Sequence, residues 1–569
     1  MLFSLGGGAE GIEPSADARE SVDRLAAAVD GPGTVLDPLA RPGAGFGHLT
    51  GPRPDAPVTR HLAARLDALA DALVEAEGDP AEADSDLAPL WPLFGRFIDH
   101  DLAAPQPAEP RRPGAAALLA NRRCGRLRLD SLYRADAAEG PLADKLTRLM
   151  REPDAPARMR LDVVEPSDLG RVRLPRDGGA DLLRLGRLLA DDPAQGVTPA
   201  EIAAAPAALR DRLAPGGRID PRRAVIGDAR NDDSLLIAQL HLALLRFHNR
   251  VSDWTADAGA TAPEALFRTS RALTRRHLQW LVLNDYLPRL CDRAVLDRVR
   301  RAGAPLHARL RARMGAAGAR GAVPVPLEHW AAVARYRQTV MRARWDLNRH
   351  FGRPDLAAAE SGPACRRAGL DHLLRWTGAQ MPGRRLPAHV PPDWSRLSAM
   401  PPAFRDRGAR RIDTFVTPPF GESDPVITEA NRRLARLTLR RGHCLGLPSG
   451  QEAAAAVNAV YDDLIRPLGP AALTGGHTGE AVRDGLTERT PLWFYILKEA
   501  EVQTGGQRLG QLGSALLAET LIGALIADPE SVWHAPGRFG GPWTPDDGAR
   551  PDGLTIDSLP ALRQAADLL

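Results

Sequence analysis

At 569 residues the chain can bury a large core, and its charges nearly cancel: 74 Lys and Arg face 71 Asp and Glu, for a formal net charge of +3. That balance argues against a nucleic-acid partner, which calls for a clustered cationic excess. No segment approaches the roughly 18 uninterrupted apolar residues of a membrane span. Aromatic residues are sparse at 5% while Ala, Leu and Arg abound, so helix is favoured wherever Pro and Gly permit it.

Residues 1–55 are rich in Gly, Pro, Asp and Ala without a sustained period, and read as an arm that is either flexible or laid across the main body. Met1 to Glu20 lack a basic stretch followed by an apolar one, so no secretory signal is expected and the location reads as cytoplasmic, with leaderless export open. From Thr59, a suitable N-cap, Leu62, Leu66, Leu69 and Leu73 recur at helical spacing and predict an amphipathic helix. Glu75 to Asp86 reads as a solvated acidic loop. The next stretch, Phe94-Gly95-Arg96-Phe97-Ile98-Asp99-His100-Asp101-Leu102, sets two acids and a histidine inside an apolar run. As a helix with Pro92 in its first turn, it puts Arg96 and His100 on one face and points Asp99 and Asp101 to either side.

Residues 150–222 are interrupted by Pro, Gly and Asp and predict short helices and surface loops. A turn at Gly227-Asp228-Ala229-Arg230 precedes Leu236, Leu240, Leu244, Phe247 and Val251, which form a helical stripe. His241 and His248 lie on another face and read as core histidines. Thr261 to Leu290 predicts a long helix or a pair, ended near Pro288. The cysteines Cys124, Cys291, Cys365 and Cys444 are widely spaced and read as free thiols.

The histidine stretch, the Arg230 turn and the helix end Arg246-Phe247-His248-Asn249-Arg250 together resemble the animal-type haem peroxidases, as a bacterial member of the myeloperoxidase and peroxinectin kind. The likeness continues through His277 to Pro288, Arg410 to Thr414, Leu445 to Gln451 and Pro491 to Glu501, covering roughly residues 55 to 535. It implies a mainly α-helical domain with few or no strands over 56–535, followed by a C-terminal extension, 536–569. It further implies that His100 is the distal base and Arg230 the distal arginine, that Asp99 and Asp233 sit where haem is ester-linked, and that Arg335 and Arg441 hold its propionates.

Five positions depart from the family. Gln338 stands where the family's long proximal helix carries the histidine ligand, with His350 expected farther along that helix and about 18 Å away, and Thr438 stands where an asparagine supports that ligand. Arg96 replaces the glutamine of the distal site, adding a cation beside His100 and Arg230. In the stretch matching the family's calcium loop, Cys124 and Arg128 replace two ligands while Asp101 and Asp130 remain. Calcium is therefore not expected, and Arg128 is expected to take over its charge by pairing with Asp101 and with Asp130. The tyrosine of the fatty-acid oxygenase branch falls at Arg335, which sets that branch aside. Whether the chain is an enzyme turns on haem. One reading is a haem peroxidase-family oxidoreductase using hydrogen peroxide and a small-molecule reducing substrate, with weakened haem affinity. The alternative is a pseudoperoxidase that has lost haem and binds a protein partner, or an anionic ligand among Arg96, Arg230, Arg335 and Arg441.

Overall fold

The structure is a computed structural model that describes residues 45–51, 60–74, 84–108, 118–134, 140–166, 179–259, 262–316, 323–342, 344–348, 350–351, 368–369, 373, 376–378, 381–398, 408–416, 425–483, 485–548 and 555–567. Most of the first 55 positions, Thr59, most of the acidic loop and Cys365 lie outside the described residues. The protein is mainly α-helical. In chain order the helices that position the site are α1 (Arg60–Ala72), α2 (Leu90–Leu102), α3 (Leu235–Asp257), α4 (Pro263–Leu281), α5 (Arg293–Ala302), α6 (Leu327–Ala331), α7 (Pro425–Cys444), α8 (Gly450–Tyr461), α9 (Leu492–Thr504), α10 (Gln511–Ile526) and α11 (Leu559–Asp567). Strands among the described residues are short and form two-stranded pairs only. One of these pairs joins Phe46–Gly47 in parallel to Val325–Pro326, so this part of the arm is laid on the body. Thr50 and Leu49 fix it further, donating from their backbone nitrogens to the buried carboxylate of Glu328.

The core is built around α10, which is buried on every side from Leu512 to Leu525 and predominantly apolar, as a helix is when other helices surround it. It packs on α5, α8 and α9, while the long α3 lies against α2, α4 and α11. The stripe Leu236, Leu240, Leu244, Phe247 and Val251 is buried throughout. Described residues beyond 536 also fold onto the body: α11 lies along α3, and Leu559 donates its N–H to Asp285 at 2.8 Å. Among the described residues no helix is long and apolar enough to cross a membrane. Cys124, Cys291 and Cys444 are free thiols.

The helical run expected over 261–290 is found from Pro263 to Leu290 and ends two residues past Pro288. A wide π turn over Val282–Tyr286 carries α4 into Leu287–Leu290, and such a turn makes room for a proline that cannot donate to the carbonyl four residues back. The same turn sets Tyr286 against α2 at Gly95, where a Cβ would stand 2.1 Å from the phenol oxygen. Only glycine lets these two helices approach so closely.

Two expectations are corrected. The stretch carrying Gln338 is not a long helix: α6 ends at Ala331, Ala332 leaves the helical region, and a 3-10 segment, Val333–Gln338, follows. His350 therefore does not lie on a rod extending from Gln338, because the chain has passed through the short strand Arg344–Trp345 before reaching it. The end of the acidic loop is not free in solvent, since Asp84 pairs with Arg342 at 2.6 Å.

Candidate functional site

In α2 every residue but Asp99 is buried, including Arg96, His100 and Asp101. His100 Nδ1 lies 2.7 Å from Asn231 Oδ1, and Asn231 Nδ2 lies 3.1 Å from His241 Nδ1. An amide oxygen only accepts, so His100 carries its hydrogen on Nδ1 and keeps a lone pair on Nε2. That nitrogen forms no hydrogen bond among the described residues. Burial, then the charges of Arg230 and Arg96, hold the His100 pKa well below the ordinary histidine range, while Asp228 opposes them. The imidazole is neutral at physiological pH and offers a base.

Arg230 sits in a 3-10 turn, Ala229–Asp232. Its Nε and Nη2 donate to the two oxygens of Asp228 at 2.9 and 2.6 Å, and Nη2 also reaches the carbonyls of Ala103 and His100. Asp228 takes a further bond from Arg123 at 2.9 Å. Burial would raise the Asp228 pKa, but Arg230 and Arg123 outweigh it and hold it well below the usual carboxylate range. Arg230 is thus pinned against the C-terminal end of α2 and partly neutralised.

The two carboxylates of the site are already engaged. Arg96 forms an ion pair with Asp233. Asp99 accepts from Arg337 Nη2 through Oδ2, and from His329 Nε2 at 2.8 Å through Oδ1. Burial opposes ionisation of Asp99, yet Arg337 and His329 hold its pKa down to about 2. His329, buried with no hydrogen bond at Nδ1, is a site residue that the motifs missed. It lies in Pro326-Leu327-Glu328-His329-Trp330, where nothing in the local pattern marks a partner 230 residues away.

On the other side, Gln338 Nε2 donates to Thr438 Oγ1 at 3.0 Å, and Thr438 Oγ1 donates to Leu434 O at 2.9 Å. Because the threonine hydrogen is spent on that carbonyl, its oxygen selects the NH2 end of the glutamine. Gln338 Oε1 is left buried without a hydrogen bond. Arg335 and Arg441 both lie over the ring of Trp330, with their guanidinium carbons 5.2 and 5.5 Å from its centroid. Neither forms an ion pair with a carboxylate among the described residues, although Arg335 Nε reaches the Trp330 carbonyl. Burial and mutual repulsion push the Arg335 pKa well down, and burial brings Arg441 to about 10. Behind Thr438 lies a mostly apolar cavity of about 250 Å³, lined also by Leu62, Leu66, Ala331, Leu439 and Trp493.

The expected exchange of calcium for Arg128 does not occur. Arg128 turns away to Asp528, with Nε and Nη2 at 3.2 and 2.9 Å, and Asp130 pairs with Arg271 at 3.3 Å. Asp101 instead accepts from the backbone of Leu129 and Ser131 at 2.8 and 3.1 Å and from the Ser131 hydroxyl, capping the one-turn helix Asp130–Tyr133. Burial and the neighbouring Asp130 charge push the Asp101 pKa up to about 6. His248 is structural, bonded to Tyr133 and to the Ala157 carbonyl.

No family model and no curated protein matches the chain. Among solved structures it is similar to peroxidase A from Dictyostelium discoideum, at 13% identity over 88% of this chain and 89% of that one, with a TM-score of 0.48. It is also similar to the fatty acid alpha-dioxygenases of Oryza sativa (10% identity, 96% and 88% covered, TM-score 0.43) and Arabidopsis thaliana (12%, 96% and 83%, 0.43).

Proposed function

We propose that the chain is a haem peroxidase-family oxidoreductase that acts on hydrogen peroxide and a small-molecule reductant, with its haem held non-covalently and an amide oxygen in place of the imidazole ligand. The observation that carries this reading is which polar groups the folded centre leaves open: Gln338 Oε1, His100 Nε2, and the guanidinium groups of Arg335 and Arg441. An iron porphyrin with two carboxylates would be held by a donor to its metal, a proton acceptor and two cations, and this set of residues fits it. Asp99 and Asp233 are committed to Arg337, His329 and Arg96, so ester links form no part of the reading.

Bound haem would supply the redox centre at which peroxide is reduced and the second substrate oxidised. The chain's own part is to hold that centre and move a proton. With haem bound, His100 Nε2 would accept the proton of the peroxide hydroxyl and hold it for return, as a neutral buried base can. Arg230 contributes positive charge beside it, reduced by its pairing with Asp228. Gln338 Oε1 is a neutral donor, weaker than imidazole, and Thr438 aims it by taking the other end of the amide.

A second reading is favoured by one contact. Asp99 on α2 is clamped by His329 and Arg337 from the segment that carries Gln338, which ties the two walls of the site together. Under this reading the chain is a pseudoperoxidase, and Arg335 and Arg441 receive another anion. Purification from a haem-supplemented host, with an absorption spectrum and a pyridine haemochrome assay, separates the two. Near one haem per chain, extractable into acidified acetone, supports the first; folded, monodisperse protein without haem supports the second.

A further inference from the structure

We infer that Asn231 is a positioning residue that locks His100 and His241 into opposite tautomers and thereby fixes which nitrogen of His100 serves as the base. The inference rests on the proposed role of His100, but its geometry stands independently. Asn231 is fully buried and lies between the two Nδ1 atoms, with Oδ1 toward His100 at 2.7 Å and Nδ2 toward His241 at 3.1 Å. An amide has one accepting end and one donating end. The histidine at its oxygen must therefore bear a hydrogen on Nδ1, and the histidine at its nitrogen must bear none there. His241 then holds its hydrogen on Nε2, which is buried, lacks a hydrogen-bond partner and lies beside Phe97 with the two rings edge to face, 6.0 Å between centroids.

The two histidines alone do not say which way the amide faces, since turning it over would exchange their tautomers. In the structure the amide oxygen faces His100 and the amide nitrogen faces His241. The backbone holds the amide in place: Asn231 donates its N–H to the Asp228 carbonyl at 2.9 Å within the turn that also carries Arg230. One short turn thus sets both the cation beside the base and the tautomer of the base.

The test uses nitrogen NMR of the full-length, haem-free protein labelled at histidine, with His100 and His241 assigned from His100→Gln and His241→Gln. In the unsubstituted protein His100 should be protonated at Nδ1 and His241 at Nε2. Asn231→Asp retains an acceptor for His100 but removes the donor to His241, so both should then be protonated at Nδ1. Asn231→Leu should release His100 to a mixture dominated by the Nε2–H form. If Asn231→Leu does not fold, the Asn231→Asp pattern still decides. A matching pair of tautomers in the unsubstituted protein, an Nε2–H form of His100, or an unchanged His241 in Asn231→Asp would overturn the inference. These readouts need no haem, so they can fail while haem binds, or hold while it does not.

Discussion

Gln338 and Thr438, a hundred positions apart, are joined side chain to side chain, the amide nitrogen donating to the threonine hydroxyl oxygen at 3.0 Å. A pair that the resemblance places at ligand and ligand support is in direct contact here, with one amide oxygen left over. Gln338→His together with Thr438→Asn should restore an imidazole and an acceptor for its second nitrogen. The cavity behind Thr438 gives the larger side chain room. Haem affinity should rise by roughly tenfold or more, the scale of an outer-shell partner's effect, read as tighter titration and a shifted Soret band. No gain in haem would mean that the pocket itself has closed.

His100→Ala should leave haem content unchanged and slow the reaction with peroxide by about 10²–10⁴-fold, the usual contribution of a positioned base. Because burial, Arg230 and Arg96 depress the His100 pKa, the neutral base persists into acid. Stopped-flow rates should stay level as pH falls through about 6.5, the ordinary histidine value, and decline only below it. A rate halved near pH 6.5 would contradict the depressed pKa.

Asp99 makes stability depend on pH in acid. Its folded pKa of about 2 lies below the roughly 3.9 of an unfolded aspartate. The stabilisation, about 2.6 kcal/mol by linkage, is fully present above the unfolded value and is lost as pH falls through the folded one. Denaturant unfolding between pH 5 and pH 2.5 should show this loss in the unsubstituted protein and not in Asp99→Asn. The variant should itself be less stable by about 3–5 kcal/mol at pH 7, because Arg337 loses its buried counter-charge.

Gly95→Ala should destabilise by about 1–3 kcal/mol, as overpacking does in a rigid core, because the added carbon meets the Tyr286 hydroxyl. Adding Tyr286→Phe should recover part of the loss, since the nearest obstructing atom is then removed. Equal losses in the two backgrounds would show that the helices are not held at this distance.

The helices were legible where a stripe of leucines repeats, as in α1 and α3, and the Arg230 turn was legible from its motif. What the pattern did not reveal was partner choice. Arg128 and Asp101 look complementary by charge, but Leu129 adopts a left-handed conformation, φ 58°, and turns two backbone N–H groups onto Asp101. Arg128 then meets Asp528, 400 residues away. His329 was missed for the same reason: its partner Asp99 comes from a distant helix. The break after α6 was missed because Ala332, the residue that departs from helical geometry, is itself a good helix former.

The central claim, that the open groups of the buried centre are contacts for haem, is tested most directly by titrating haem into haem-free protein and following the Soret band. The unsubstituted chain should saturate near one haem per chain, and the double variant Arg335→Ala, Arg441→Ala should bind at least roughly tenfold more weakly, one tenfold step being about 1.4 kcal/mol. Absence of saturable binding, or equal affinity in the double variant, would contradict the account.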